Sequence, residues 1–119
     1  MKGAKRLVPT ASRFNYAVLK YASKRGEEFH RSEAIEAMVD YFNLSPAAMR
    51  ERTREGNEFC YKIRTFRALS TFTRYGALLR RTRLGYYEIT DLGKRELNRL
   101  SGETITLHYI QNNYQHIPK

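Results

Sequence analysis

A predicted β-hairpin is the feature that most restricts the fold of this chain. Two segments rich in apolar and aromatic residues, 77–81 and 86–89, are predicted as strands joined by the residues TRLG. A loop of this length that contains glycine is typical of a bulged hairpin turn. Three arginines surround the turn, where their charges repel one another: Arg80, Arg81 and Arg83. The hairpin therefore predicts both a packed sheet and a negatively charged partner outside the chain.

Helical patterns surround this hairpin. Capping residues, glycine stops and apolar periodicity divide the sequence before it into four helices, and a fifth helix is predicted after it. The order of helix, helix, short helix, long helix, hairpin and helix is the plan of a winged helix-turn-helix. The sequence therefore predicts a mainly α fold with a small β-hairpin (α+β), of winged helix-turn-helix type. The predicted helices cover residues 10–24, 33–42, 46–54, 58–75 and 91–100, with caps at Thr10 or Ser12, Ser32, Ser45 and Thr90.

The positive charge of the chain is large and unevenly distributed. At 119 residues and 41% hydrophobic content, the chain is long enough for one domain with its own core. Its net charge is +10, and residues 50–83 hold ten basic side chains but only three glutamates. The segment before Glu27 contains no acidic residue. Such a surface repels itself, which favours a polyanionic partner, and nucleic acid is the commonest one.

The long predicted helix has two different faces. Stepping about 100° per residue from Phe59 separates a core side from a basic side. A solvated helix face normally mixes Glu with Lys, whereas this basic side has no acid after Glu58. Its Arg and Thr side chains suit a nucleic-acid groove, although a merely solvated basic face is the alternative. The core side is predicted to hold Phe59, Ile63, Phe66, Ser70 and Thr73, and the opposite side Tyr61, Arg64, Ala68, Thr71 and Tyr75, with Arg67 and Arg74 on its flank.

No pattern in the sequence indicates catalysis. His30, His108 and His116 lack metal-ligand spacing, and the one cysteine, Cys60, cannot form an internal disulfide. There is no glycine-rich phosphate loop and no arrangement typical of a catalytic triad or a metal-dependent nuclease. We therefore expect no enzyme activity, no cofactor and no metal. Without a signal sequence or membrane span, the chain is expected to be cytoplasmic, and nucleoid-associated if bacterial or archaeal.

Two stretches carry a resemblance to a known family. The stretch YFNLSPAAMRERTREGNEF, followed by LSTFTRYGALLRRTRLGYYEITDLGKREL, resembles the N-terminal winged-helix domain of Mrr-type restriction proteins. The resemblance covers about residues 9–100. It implies a domain that binds DNA, because in that family the N-terminal domain is the DNA-binding part and a separate C-terminal nuclease domain cuts the DNA. Because nothing nuclease-sized follows residue 100, a restriction role is expected to need a partner nuclease.

Two segments lie outside the predicted domain of residues 10–100. Residues 1–9 form a basic N-terminal arm. Residues 101–119 form a tail in which Ile105, Leu107 and Tyr109 alternate with polar residues, a pattern that predicts a strand. Such a strand could fold back onto its own domain or pair across a two-fold axis, and we favour a homodimer.

The sequence thus predicts a protein that binds double-stranded DNA, either a transcriptional regulator or a DNA-targeting component. The helix of residues 58–75 would enter the major groove, and the wing of residues 80–86 would contact the backbone or minor groove. The alternative is a protein-interaction module that mediates dimerisation or docks a partner protein; RNA binding ranks third. The predicted DNA contacts are Tyr61, Arg64, Arg67 and Thr71 in the major groove, Arg80, Arg81 and Arg83 in the wing, Arg50, Arg54 and Arg74 beside them, and Lys2, Lys5 and Arg6 in the arm.

Overall fold

A computed structural model describes residues 7–100 and 102–114 of the chain. These residues form a mainly α-helical fold with a small antiparallel sheet, so the predicted winged-helix fold class is confirmed. The elements of this part of the chain are α1 Ala11–Arg25, β1 Phe29–His30, α2 Arg31–Phe42, α3 Pro46–Met49, α4 Cys60–Arg74, β2 Leu79–Arg83, β3 Tyr86–Ile89, α5 Asp91–Arg99 and α6 Leu107–Asn113.

Helix α1 packs against four of the other elements, α2, α4, α5 and β3. Its ends are where the sequence predicts them. The Thr10 side chain accepts a hydrogen bond from the backbone N–H of Arg13, and Gly26 ends the helix with a φ of 69°. Its apolar face, which includes Phe14 and Leu19, is fully buried in the core. This burial stabilises the helix far more than its intrinsic propensity can.

The sheet has a third strand, β1, which the sequence analysis missed. Strand β3 lies in the centre between β1 and β2, and Phe29 of β1 pairs with Tyr87 of β3. Two residues are too short a stretch for a periodicity to indicate a strand. The predicted cap of the second helix is also wrong. His30, not Ser32, caps α2, in a capping box that it completes with Glu33.

The segment between α3 and α4 is less helical than predicted. Helix α3 ends at Met49, whereas the sequence analysis extended it to residue 54. The chain instead forms a narrow loop in which Arg52 bridges to Phe59 and the N–H of Cys60 donates to the carbonyl of Glu51 at 2.8 Å. These backbone bonds replace those of the missing helical turn. They also fix the position of Cys60, the first residue of α4.

The predicted bulged hairpin is confirmed, and it forms the wing, residues 79–89. The strands shift register between Arg81 and Arg83, as a bulge requires. Strand β2 begins two residues later than predicted, because Gly76 and Ala77 have φ values of 71° and 51° and turn the chain before it. Thr90 caps α5 as predicted, since its side chain accepts from the N–H of Gly93 at 3.0 Å.

The described part of the tail, residues 102–114, contains the helix α6 and no strand. After Ile105 the chain turns at Thr106, whose side chain caps α6. Leu107 and Tyr109 therefore belong to a helix, and the short alternation on which the strand prediction rested was coincidental. An alternation of only three apolar positions is too short to distinguish a strand from the start of a helix.

The described tail packs on its own domain. Ile105 and Ile110 are 2% and 0% exposed and belong to the same core as α1. The N–H of Ile105 donates to the carbonyl of Ser12 at 3.0 Å, and the side-chain amide of Asn15 donates to the carbonyl of Ile105 at 2.8 Å. The unpaired strand that favoured dimerisation is therefore not present in residues 102–114. Dimerisation stays a prediction without that support.

Glu96 joins α5 to this tail and leads to a prediction about acid stability. Hydrogen bonds from Arg99 and then from the Tyr114 hydroxyl, which lies at 2.7 Å, lower the pKa of Glu96, although burial acts in the opposite direction. The carboxylate therefore stabilises the fold above the unfolded-state pKa of about 4.3, and this contribution is lost as the pH falls through the lower folded-state pKa. Between about pH 5 and pH 3 the melting temperature of the wild type should fall, and we expect the melting temperature of Glu96→Gln to fall by less.

The measurement is thermal unfolding across that pH range. Glu103→Gln is the control, since it removes one carboxylate from an exposed position next to the same tail. Its melting temperature should fall with pH as steeply as that of the wild type. Parallel curves for Glu96→Gln and the wild type would contradict the assignment.

Candidate nucleic-acid interface

Helix α4 has a buried face and an open face, and the sequence analysis reversed them. Tyr61 and Ala68, which were predicted to face outward, are 7% and 0% exposed. The buried face was not recognised because it includes Thr65, and a polar residue was not expected in the core. The Thr65 hydroxyl donates to the carbonyl of Tyr61 at 2.9 Å, so no polar group is left unsatisfied. The buried side chains of α4 are Cys60, Tyr61, Thr65, Ala68, Leu69 and Phe72.

The open face of α4, called here the outer face, carries Ile63, Arg67, Ser70 and Arg74. Ile63 and Ser70, predicted to lie in the core, are only half-buried, and Arg67 and Arg74 are exposed. The angular count began at Phe59, which is the N-cap of α4 and not a core residue of it. The outer face was therefore missed, although apolar residues at positions 61, 68, 69 and 72 indicate that the buried face lies on the opposite side of the helix.

Arg64 does not project from the outer face. Its guanidinium donates to the carbonyl oxygens of Val8, at 3.1 Å, and of Pro9. The N–H groups of Leu7 and Val8 in turn donate to one carboxylate oxygen of Glu51, each at 3.0 Å. Arg64 thus holds the segment before α1 against α4. Thr71 is half-buried beside it, and the predicted contacts Lys2, Lys5 and Arg6 lie outside the described residues.

A cleft of about 380 Å³ separates α4 from the wing. Arg81 of β2 and Tyr87 of β3 are direct cross-strand partners and line this cleft together. Leu79 and Ile89 pair two positions further along the same strands and are buried, because alternate residues of a strand share one face. The cleft is lined by Ser70, Thr73, Arg74, Arg81 and Tyr87.

The three wing arginines, predicted to act alike, are of two kinds. Arg80 pairs with Glu88 directly across the strands. Arg83 lies beyond the bulge and pairs with Glu28 at 3.3 Å. Within residues 7–100 and 102–114, Arg81 has no carboxylate partner. Because side chains alternate between the two faces of the strand and the bulge changes this alternation, Arg81 is unpaired among the described residues whereas Arg80 and Arg83 are paired.

A second groove, of about 280 Å³, lies on the other side of the outer face. It separates α4 from the narrow loop after α3 and contains one acidic residue, Glu55. Arg54 and Arg67 meet at this groove, whereas Arg50 is exposed at the end of α3 and lines neither groove. The groove is lined by Thr53, Arg54, Glu55, Cys60, Ile63, Arg64 and Arg67.

Four arginines thus surround the outer face, and we call them the basic face: Arg54, Arg67, Arg74 and Arg81. In the part of the chain that the structure describes, none of the four forms an ion pair, while Arg25, Arg80, Arg83 and Arg99 do. No acidic residue occurs in the sequence between Glu58 and Glu88. Glu55 is the one acidic side chain among the residues that line the two grooves, so the basic face is a concentrated surface of predominantly positive charge.

Leu84 is a further exposed residue that the sequence analysis did not identify. It occupies the tip of the wing and is 82% exposed. Single exposed apolar side chains are common on protein surfaces, so the exposure of Leu84 does not by itself indicate a binding site. Its position in the TRLG turn was the available signal.

Two kinds of feature are absent from the described residues. Among the described residues, no three His, Cys, Asp or Glu side chains are grouped so that they could hold a metal ion. No helix of that same part of the chain is long and apolar enough to cross a membrane.

The family of the chain follows from a comparison with protein-family models. No curated protein and no solved structure gives a match. A family model described as the Mrr N-terminal domain matches residues 12–99, which run from the start of α1 to the end of α5 and include the whole basic face. The match confirms the resemblance seen in the sequence and leaves α6 outside. The chain belongs to the Mrr N-terminal domain family, a family associated with restriction systems.

Proposed function

We propose that this chain binds double-stranded DNA, with the outer face of α4 in the major groove and the wing beside it. One observation carries the proposal: the four arginines of the basic face converge on one helix and its two bordering grooves without carboxylate partners in the described residues. Like charges held together repel one another, and a polyanion removes that repulsion. The phosphates of a DNA backbone are such a polyanion.

The shape of the outer face fits this function. Arg67 and Arg74 are seven residues apart, which places them about 10 Å apart along the helix, with the small Ser70 between them. A small residue allows close approach of the helix, and the major groove of B-DNA admits one α-helix. Arg67 stands near the middle of α4 and is assigned to base edges. Arg54 and Arg81 lie at the borders and are assigned to phosphates.

Family membership favours a DNA-targeting role in a restriction system over transcriptional regulation. In this proposal the role of the chain is to bind DNA, and no catalytic step is assigned to it. Location in the cytoplasm and dimerisation stay predictions. The alternative of a protein-interaction module would need an apolar patch on this surface. The large exposed apolar side chains of the described residues instead belong to four separate segments: Leu7, Tyr41, Leu84 and Leu107.

Salt dependence tests the proposal directly. About six phosphate contacts predict that the logarithm of the association constant falls with the logarithm of the salt concentration with a slope near −5. Fluorescence anisotropy with a labelled short DNA duplex measures this slope. Duplex RNA of the same sequence is the control and should bind more weakly, because its deep, narrow groove does not admit α4. No binding, or a slope near zero, would rule out the proposed function.

A further inference from the structure

We propose that the cleft between α4 and the wing is a phosphate-binding site, which takes one phosphodiester of the DNA backbone. This inference rests on the proposed function, because the DNA of that proposal is the source of the phosphate. The chemistry of the cleft, however, is argued from its own walls. These walls come from two elements that lie far apart in the sequence, the second half of α4 and the wing.

The donors of the cleft match a phosphate. Arg74 enters from α4 and Arg81 from β2, and neither has an ion-pair partner in residues 7–100 or 102–114. A guanidinium presents its N–H groups as a planar fork that binds phosphate oxygens in pairs. The hydroxyls of Ser70 and Tyr87 are two further donors on the same walls. Thr73 is different, because its hydroxyl already donates to the carbonyl of Leu69 at 2.7 Å.

No acidic side chain lines the cleft to compensate these two charges. The nearest candidate by strand pairing is Glu88, which follows Tyr87 in β3 and pairs with Arg80. Successive residues of a strand point to opposite faces, so Glu88 lies on the other side of the sheet from the cleft. The positive charge of Arg74 and Arg81 is therefore left for an anion from outside.

The cleft is continuous with the outer face of α4, and its volume of about 380 Å³ is large enough to admit a phosphate group of a DNA strand. Ser70 and Arg74 belong both to the cleft and to the outer face of α4, so a strand that follows the outer face would continue into the cleft. The walls are also held in place, since Tyr87 pairs with Phe29 of β1, which is 1% exposed. A preorganised site loses little entropy when its ligand binds.

Neighbouring arginines provide a matched test. Arg81→Gln removes a cleft donor, whereas Arg80→Gln removes an arginine from the opposite face of the same strand. We expect Arg81→Gln to weaken binding of a short DNA duplex by roughly tenfold and to reduce the salt slope by about 1. Arg80→Gln should change the affinity by less than about twofold, because the Arg80 side chain lies on the opposite face of the sheet from the cleft. Arg74→Gln, on the other wall, should repeat the effect of Arg81→Gln, and melting temperatures verify that all three variants are folded.

A second measurement uses inorganic phosphate and reads the NMR signals of the arginine Nε–H groups. Phosphate should shift the signals of Arg74 and Arg81 in the wild type, and Arg81→Gln should abolish the shift of Arg74. If phosphate causes these shifts but the wild type does not bind duplex DNA, the proposed function fails and the cleft serves a small phosphorylated ligand. If phosphate causes no shift and Arg80→Gln weakens DNA binding as much as Arg81→Gln, the phosphate site is overturned.

Discussion

Replacing Gly93 by alanine is expected to destabilise the protein by about 3 kcal/mol, the upper part of the usual range for overpacking. Helix α5 lies so close to the start of β2 that a Cβ on residue 93 would stand 2.2 Å from the carbonyl oxygen of Leu78 and 2.8 Å from a side-chain carbon of Ile89. Alanine favours a helix over glycine by about 1 kcal/mol, so a loss of stability must come from this contact. The oxygen cannot move freely, because it accepts a hydrogen bond from the N–H of Thr90 at 3.1 Å.

Thermal unfolding measures this effect. A loss of about 3 kcal/mol in a domain of this size lowers the melting temperature by roughly 10–20 °C. Gly56→Ala is the control, since a Cβ at residue 56 meets no atom within 4 Å and its cost arises only from a φ of 79°. That cost is about 1–2 kcal/mol. A melting temperature for Gly93→Ala equal to or above that of Gly56→Ala would show that α5 can move away from the sheet.

Replacing Arg67 by alanine is expected to weaken binding of duplex DNA by roughly 10- to 100-fold, which corresponds to about 1–3 kcal/mol for a lost base contact. Arg67 is exposed in the middle of the outer face and lines the groove beside Arg54. Because a base contact carries sequence information, the variant should also discriminate less between duplexes of different sequence. Fluorescence anisotropy at one fixed salt concentration measures both effects.

Arg64→Ala is the matched control for this experiment. The two arginines lie three residues apart on one helix, but the Arg64 guanidinium is bound to the carbonyls of Val8 and Pro9. We expect Arg64→Ala to lower the melting temperature, since it releases the segment before α1, and to leave sequence preference unchanged. An equal loss of sequence preference in both variants would contradict the assignment of the outer face.

Several features of the fold were correctly predicted because their signals are local. Thr90 was predicted as a helix cap and Thr10 as one of two candidates for another, and both accept the expected backbone hydrogen bond. Gly26 ends α1, and the bulge of the wing follows from a short loop that contains glycine. Each of these features depends on a few adjacent residues and on backbone sterics.

The errors concern packing between distant segments. The faces of α4 were reversed because of two residues. Phe59 is apolar like a core residue but occupies the N-cap, whereas Thr65 is polar but is buried in the core. Strand β1 exists only because β3 pairs with it. Ile105 of the tail is buried against α1, where Ser12 and Asn15 provide its hydrogen-bond partners. None of these partners is near in sequence, so no local pattern could reveal them.

The order of the five helices α1–α5 and the wing, the family and the excess of positive charge are properties of the sequence alone, because caps, turns, apolar repeats and charges can be counted along the chain. Which arginines are available to a partner was decided only by the tertiary structure. Arg83 is paired because the fold brings Glu28 to the wing, and Arg64 is occupied because the segment before α1 returns to α4. Arg67 and Arg81 have no such partner among the described residues. The difference arises because an ion pair depends on distance in space and not on distance along the chain.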